Sequence, residues 1–521
     1  MRINTNITAI VSNNALQRTE NKLSQSIERL SSGYKLNSSL DDPAGVAITE
    51  KMRIQLRGLD QAQNNTADGI SVLNTAEGAL VEIQAMLVRM KELSVQAAND
   101  VNSDSEREAI QEEIDNINKE IDRISNDTEF NTQTLINGNL TRRVYSDCIG
   151  VNQLECSDGF VAGNYGITVT QDARQAVALA DNTISMADNQ KLTAEQAGTI
   201  NINGYNVALN EGDSLDDIME KIVDAADKTG GKAFVIADGA ANDTAANGTT
   251  YAGYTTATQA TGSRLVIMTK QYGSDQSLTI TCDNAELAGM LGIDSAATEE
   301  GWYAEGSNVQ AEFTTTTVDG VTKRVGFEDS AVLSTRGTKI TVKDVNNKAF
   351  EMDVPGNVAG TVFDDLNKEY GQSVSTGGDT KDIVQEVTDV GTMSIHIGAN
   401  EYQVIKIDIP AITTYTLGTE NMNVMTGLTA AQAIQIVDEA ISKTNAARSK
   451  LGAYQNRFDH TTNNLEVSAE NITSAVSTMM DTDMAEEMTE YTSLNVMAQA
   501  STSILSQANE RPSTVLQLLQ R

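Results

Sequence analysis

The stretch "SSGYKLNSSLDDPAGVAITEKM", Ser31–Met52, decides how this chain is organised. It is a polar hinge between two amphipathic runs, and it holds neither a nucleophile–base pair nor metal ligands at useful spacing. Gly33 and Gly45 supply backbone freedom, and Asp41 or Asp42 followed by Pro43 suits a helix cap and first turn. Before the hinge, Leu16, Leu23, Ile27 and Leu30 fall in steps of seven, four and three, one stripe on a helix. After it, Leu73, Ala76, Leu80, Ile83, Leu87 and Met90 repeat the pattern. A third run reads Ile110, Ile114, Ile117, Ile121, Ile124. Alternating threes and fours is the heptad rule of a coiled-coil seam. Asp104 and Ser105, with Glu108 three residues after Ser105, predict the start of that third helix.

The same signal returns near the C-terminus. Val437, Thr444, Leu451, Phe458, Leu465 and Ile472 are each seven apart, and Met484, Met488, Tyr491 and Leu505 extend a helical stripe towards "PSTVLQLLQR". Such seams need a partner surface to bury them. Between the two helical ends, roughly 141–390, the chain is rich in Thr, Gly, Ala, Asn and Asp and reads as short strands and turns. "TININGYNVAL" at 199–209 carries an Asn-Gly turn signal, "RLVIMTKQ" at 264–271 reads as a strand, and 337–354 reads as a hairpin around Asn346–Asn347. A helix is expected over 214–228, capped by Ser214, with Leu215, Ile218 and Ile222 on one face. Residues 238–262 hold few large apolar side chains and read as a loop. The fold class expected is multi-domain α+β, with terminal coiled-coil helices packed together and a β-rich lobe inserted between them.

Composition narrows the function. The 521 residues suffice for several domains, and the formal net charge of −35 disfavours nucleic acid and anionic membrane surfaces as partners. Four prolines in a chain of this length suit long helices. No run approaches the ~18 apolar residues of a membrane span. "MRINTNITAI" lacks the features of a cleaved secretory signal, so no ordinary secretion route is expected.

Catalytic chemistry is missing. There is no HExxH, GxGxxG, P-loop or GxSxG motif, and the three cysteines and two histidines are too scattered for zinc. His396 lies in a strand-like run and His460 on the helix of Phe458, both read as structural. The acid pairs Asp216–Asp217, Glu299–Glu300 and Asp364–Asp365 read as solvated charge. No enzyme, cofactor or metal site is expected. Cys148 and Cys156 are close enough in sequence for a local disulfide, with separate thiols as the equal alternative.

At both ends the chain resembles bacterial flagellin. The resemblance is carried by "MRINTNITAI", "LSSGYKLNSSLDDPAGVAI", "NNTADGISVLNTAEGAL" and "MKELSVQAAND" in the first 140 residues. In the last 130 it is carried by "IGANEYQVIKIDI", "LGAYQNRFDHTTNNL", "DTDMAEEMTEYT" and "ILSQANERPSTVLQLLQR". "GTININGYNVAL", "GDSLDDIMEKI" and "GSRLVIMTKQYGSDQSLTI" follow the order of an insertion module found in flagellins. The resemblance implies D0 helices and connector at 1–42 and 475–521, D1 at 43–140 and 391–474, and an outward variable lobe at 141–390 with the module at about 198–280. It implies a secreted, self-polymerising filament subunit for motility. Such a subunit is exported unfolded by the flagellar type III apparatus with a chaperone and meets hook-associated junction and cap proteins. The terminal helices of Leu16, Leu23, Ile27, Leu30, Met484, Met488, Tyr491 and Leu505 are then polymerisation helices.

By position, the resemblance also makes Arg89, Glu92 and Leu93 in "LVRMKELSVQ", with Glu113, a surface read by host Toll-like receptor 5; the plain alternative is that Leu93 is core and Arg89 ordinary surface charge. Three departures stand out: "STMMD" at 477–481 replaces an arginine-bearing segment, Tyr402 occupies a position usually glycine, and the end "LLQR" is slightly long. A hook–filament junction protein is the alternative reading, disfavoured by the full "LGAYQNRF" and "DMAEEM" segments. A flagellin with a zinc protease in its insertion is disfavoured by the absence of HExxH.

Overall fold

The computed structural model describes residues 6–519 apart from 158, 181, 188–189, 238–262, 294–301, 319–320, 345–347, 357, 359–362, 365–373, 376–379 and 389. The loop expected at 238–262, the acid pair Glu299–Glu300, Asp365 and the turn at Asn346–Asn347 lie outside the described residues. The helices are α1 (Ile7–Ser32), α2 (Pro43–Ala97), α3 (Asp104–Asp127), α4 (Leu215–Lys228), α5 (Ala285–Met290), α6 (Thr414–Leu417), α7 (Gly427–Met480) and α8 (Met484–Leu519). The chain forms two compact units, one of residues 1–70, 395–405 and 455–521, the other of 71–394 and 406–454.

In the first unit α1 and α8 pair antiparallel. Asn6 Nδ2 donates to the Ala508 carbonyl at one end, and Arg29 faces Glu487 at the other. Asn6 also caps α1 by accepting from the Ala9 amide. The helix stops at Gly33, whose φ of 75° is open to glycine and strained for other residues. Beyond it the two connectors meet. Tyr34 bridges Asp481, the Lys35 amide donates to the Met480 carbonyl at 2.6 Å, and the Thr482 amide donates to the Gly33 carbonyl at 3.0 Å. Asp41 closes the polar hinge by accepting from the Asn37 and Ser38 amides, and Asp42 caps α2 through the Ala44 amide. Leu59, Ala62 and Leu465 form a small apolar cluster with Ala399 and Ile472.

In the second unit the helical seam is as the heptads require. Leu73, Ala76, Leu80, Ile83, Leu87 and Met90 are fully buried, with Val437, Thr444 and Leu451 from α7. The α3 pattern is corrected in two places. Its cap is Ser103, not Asp104 or Ser105, in a capping box with Glu106, whose carboxylate takes the Ser103 amide at 2.8 Å. Its buried face runs through Arg107, Ile110, Ile114, Asn118, Ile121 and Ser125, leaving Ile117 and Ile124 half-buried. Asn118 and Ser125 take those places because each satisfies a chain carbonyl, of Thr419 at 2.9 Å and Ile136 at 3.2 Å.

The insertion holds two sheet-built cores. In one, α4 packs near a sheet ordered 302–305, 277–282, 198–202, 205–209 and another ordered 175–179, 263–272, 231–237. The 198–209 hairpin turns at Asn203 and Gly204, both at positive φ, as a two-residue type I′ turn needs. Ser214 caps α4, and Asp217, read above as solvated, completes a capping box there. The other core lies between sheets 310–313, 163–171, 381–387, 144–146 and 332–336, 339–343, 349–353, 152–156. Phe350 is its fully buried centre, ringed by Phe160, Tyr165 and Phe327 at 5.8–6.5 Å. Strand 381–387 pairs with 144–146, which brings the two ends of the insertion together. The fold is α+β: terminal helices with a β-rich insertion.

Candidate functional site

The paired chain ends are the site best defined by the fold. The α1 positions turned inward are Ser12, Leu16, Thr19, Leu23, Ser26 and Leu30, spaced four, three, four, three, four. Those of α8 are Glu487, Tyr491, Leu494, Ala498, Ser501, Leu505 and Ala508, on the same repeat. This is a heptad seam in which leucines alternate with small residues. Leu16, Leu23, Leu30, Tyr491 and Leu505 therefore lie where the periodicity puts them.

Ile27, Met484 and Met488 do not lie on the seam: each is 49% exposed. Each is apolar and at helical spacing from a neighbour, but the seam follows the four–three repeat as a whole. It passes through Ser26 and Glu487 while Ile7, Ile10, Val11, Val496, Met497 and Ile504 face outward. Counting from Leu494 and Leu505 in threes and fours would have found Glu487. Its buried carboxylate faces Arg29 at 3.8 Å, and its Oε1 has no hydrogen-bond partner among the described residues. The pair thus alternates leucines with small and polar groups inside and leaves other large aliphatic side chains exposed.

The departure at 477–481 falls at the junction of the two helices. Met480 ends α7, its carbonyl holding Lys35, and Ser477 Oγ donates to Asp481 at 2.6 Å. Tyr402 lies at the tip of a hairpin closed by the Ile397 amide on the Gln403 carbonyl. It is 86% exposed with φ of 66°, the left-handed region that L residues other than Asn and Asp rarely occupy.

The four residues singled out on α2 and α3 separate. Arg89 donates to Glu113 Oε1 through Nε at 3.0 Å and Nη2 at 2.9 Å, and through Nη1 to Glu92 at 3.3 Å. The hydrogen bond to Glu113 is the main reason the guanidinium holds its proton more tightly than usual. Those three form an exposed ion triad. Leu93 is 2% exposed and faces the core beside Ser94, so in this fold it is not a surface contact. Cys148 and Cys156 are not bonded to each other; Cys156 is buried in the sheet core and Cys148 packs against it. His396 and His460 are exposed, and no cluster of three metal-ligating side chains exists among the described residues. Among them, too, no helix is long and apolar enough to cross a membrane.

Two family models match the ends of the chain: the bacterial flagellin N-terminal helical region over residues 3–141 and the bacterial flagellin C-terminal helical region over residues 434–519. The chain is 30% identical over 520 residues to a flagellin of Clostridium tyrobutyricum, covering 98% of this chain and 100% of that one. It is 30% identical over 543 residues to a flagellin of Salmonella typhimurium, covering 99% of each, and 29% identical to flagellin B of Vibrio anguillarum, covering 100% and 99%. The solved structure of FliC from Burkholderia pseudomallei is matched at a TM-score of 0.22 and 14% identity over 75% of this chain and 99% of that one, too loosely to add to the sequence likeness. The paired terminal helices thus coincide with the segments that define a family, and the chain belongs to the flagellins, the structural subunits of the flagellar filament.

Proposed function

We propose that this chain polymerises with copies of itself into an extracellular filament for swimming, after unfolded export through the flagellar type III apparatus with a chaperone. The observation that carries the reading is the row of large aliphatic side chains that α1 and α8 leave exposed outside their seam of leucines and small residues. A two-helix pair of that kind gains little from its own burial and much from neighbours that cover Ile10, Ile27, Met488 and Val496. On this reading 1–42 and 475–521 form the inner layer, 43–140 and 391–474 the tube wall, and 141–390 the outward lobe. Junction and cap proteins of the hook-associated kind meet the same helical ends. The test is deletion of residues 475–521. Purified full-length monomer should polymerise alone, as a junction protein should not. The truncation should stay monomeric with the insertion folded, and filaments of ordinary length from it would refute the assignment.

The Arg89–Glu113–Glu92 triad supports a narrower receptor surface than the four residues first named. Three exposed, mutually bonded charges can be met by a receptor without unfolding the helices. Arg89→Ala should weaken Toll-like receptor 5 binding without changing the melting temperature. Leu93→Ala should lower both, because it cuts into the core.

A further inference from the structure

The two apolar cores of the insertion are closed on themselves, and neither contains a residue of α6 or α7. The hydrogen bonds that tie the insertion to those helices, in the same compact unit, come from polar side chains. Arg336, at the end of strand Val332–Arg336, donates Nε to Asp275 Oδ2 at 2.7 Å and Nη1 to Glu439 of α7. Gln432 of α7 donates to the Asp275 carbonyl at 2.7 Å, so Arg336 joins both halves of the insertion to one helix. One turn further along α7, Lys443 Nζ holds Glu351 at 2.9 Å and the Thr416 carbonyl at 3.1 Å. Tyr415 of α6 donates its hydroxyl to Asp353 at 2.7 Å.

The sheet face turned to these helices is charged rather than apolar. Glu351 stands opposite Glu155, and Lys339 opposite Asp353, in the strand register. Glu155 is faced by Lys443 and Lys450 from α7 and by Glu351 and Lys343 from the sheet. Lys339 is faced by Lys443 and Glu439 from α7 and by Glu351 and Asp353 from the sheet. Burial pushes the Glu155 carboxyl up and the Lys339 ammonium down. The Asp353 Oδ1 atom is buried with no hydrogen-bond partner among the described residues. The charges are therefore partly desolvated and incompletely compensated, which makes a contact specific in geometry and weak in energy. Arg336, Asp275 and Glu439 are all about half exposed, so dissolved ions reach them.

We propose that the insertion is held on α6 and α7 by a salt-labile polar joint keyed by Arg336, so that ionic strength sets how firmly the lobe is docked. The joint opens without unfolding either core, because neither core contains a residue of α6 or α7.

Lysine reactivity reads this directly on the full-length monomer. Lys339 and Lys443 are shielded by the closed joint, while Lys232, exposed on strand Gly231–Ala237, corrects for the effect of salt on the reagent. Acylation by an acetylating ester, followed by mass spectrometry, is compared at about 0.05 M and about 0.5 M sodium chloride. Relative to Lys232, Lys339 and Lys443 should react roughly two- to five-fold faster at the higher salt. Arg336→Gln at low salt should reproduce that rise; if it folds poorly, Glu439→Gln removes the same bond from the helix side. Rates at Lys339 and Lys443 that follow Lys232 in wild type at both salts would overturn the proposal. So would an unchanged low-salt rate in a folded variant at either position.

Discussion

The insertion and the paired chain ends solve opposite problems with the same physical chemistry. The insertion closes cores around Phe350 and around Ile218 and Ile222, side chains removed from water within one chain. The chain ends alternate Leu16, Leu23, Leu30, Leu494 and Leu505 with Ser12, Thr19, Ser26 and Ala498 in their seam and leave Ile10, Val11, Met484 and Val496 outside. A closed core removes its large side chains from water; a lone helix pair buries one narrow seam and leaves further aliphatic side chains exposed. The difference shows why hydrophobicity alone misreads the ends. There, large aliphatic residues fall both in the seam, as leucines, and on the exposed faces, so spacing rather than apolarity separates the two.

The comparison breaks most clearly at Phe350. Phe350→Ala should cost the insertion about 3–5 kcal/mol, through lost transfer energy and the cavity left among Phe160, Tyr165 and Phe327. Denaturant titration followed by near-ultraviolet circular dichroism measures it, and a loss below about 1 kcal/mol would mean the ring cluster is not a closed core.

Met488→Ala is the counterpart at the chain ends. In the monomer it should shift stability by no more than about 0.5 kcal/mol, since the side chain is half exposed. In the polymer, losing the rest of its burial should raise the critical concentration by about tenfold. Sedimentation of filaments against monomer concentration reads the second effect. An equal change in both states would remove the distinction between the two regions.

Tyr402→Gly sharpens the comparison within the first unit. Relief of the left-handed backbone, offset by the greater freedom of glycine in the unfolded chain, should raise stability by up to about 1 kcal/mol. Thermal unfolding of the monomer measures it, and a lower midpoint would show that the exposed ring makes contacts that outweigh the strain.

The smallest effects are expected from pH, at opposite ends of the scale for the two regions. The amide of Ser38 is the main influence holding the Asp41 carboxyl below its ordinary 3.8, against some desolvation. Its support of the hinge is present above that value and fades as pH falls through the depressed one. The Tyr415 hydroxyl is pushed up to about 12, by burial first and then by its bond to Asp353. Its contribution beside the insertion is present below the ordinary 10.0 and fades as pH rises towards about 12. Carbon-detected titration of Asp41 and tyrosinate absorbance of wild type against Tyr415→Phe check these. A carboxyl at or above its ordinary value, or a wild-type minus Tyr415→Phe absorbance difference with its midpoint at the ordinary 10.0, would contradict them.

The sequence by itself determined the helical ends, the seam from Leu73 to Met90, the 198–209 hairpin and the α4 cap. Each depends on periodicity or on a cap or turn only a few residues long, so local spacing is enough to read it. The ordered motifs at both ends determined the family in the same way. Tertiary structure decided which of two adjacent residues is buried. Asn118 and Ser125 displace Ile117 and Ile124 because carbonyls of Thr419 and Ile136, remote in sequence or beyond a turn, need donors. Glu487 enters the seam because Arg29, from the other end of the chain, meets it there. Leu93 turns to the core and Arg89 to Glu113 because α3 lies alongside α2, and helical spacing alone says only that the two residues are one turn apart. The polar joint at Arg336 draws on residues 275, 336 and 439, whose proximity exists only once the insertion has folded back on α7. Burial of a particular side chain is a property of what packs against it, and that partner is supplied by the fold rather than by the residue's neighbours in sequence.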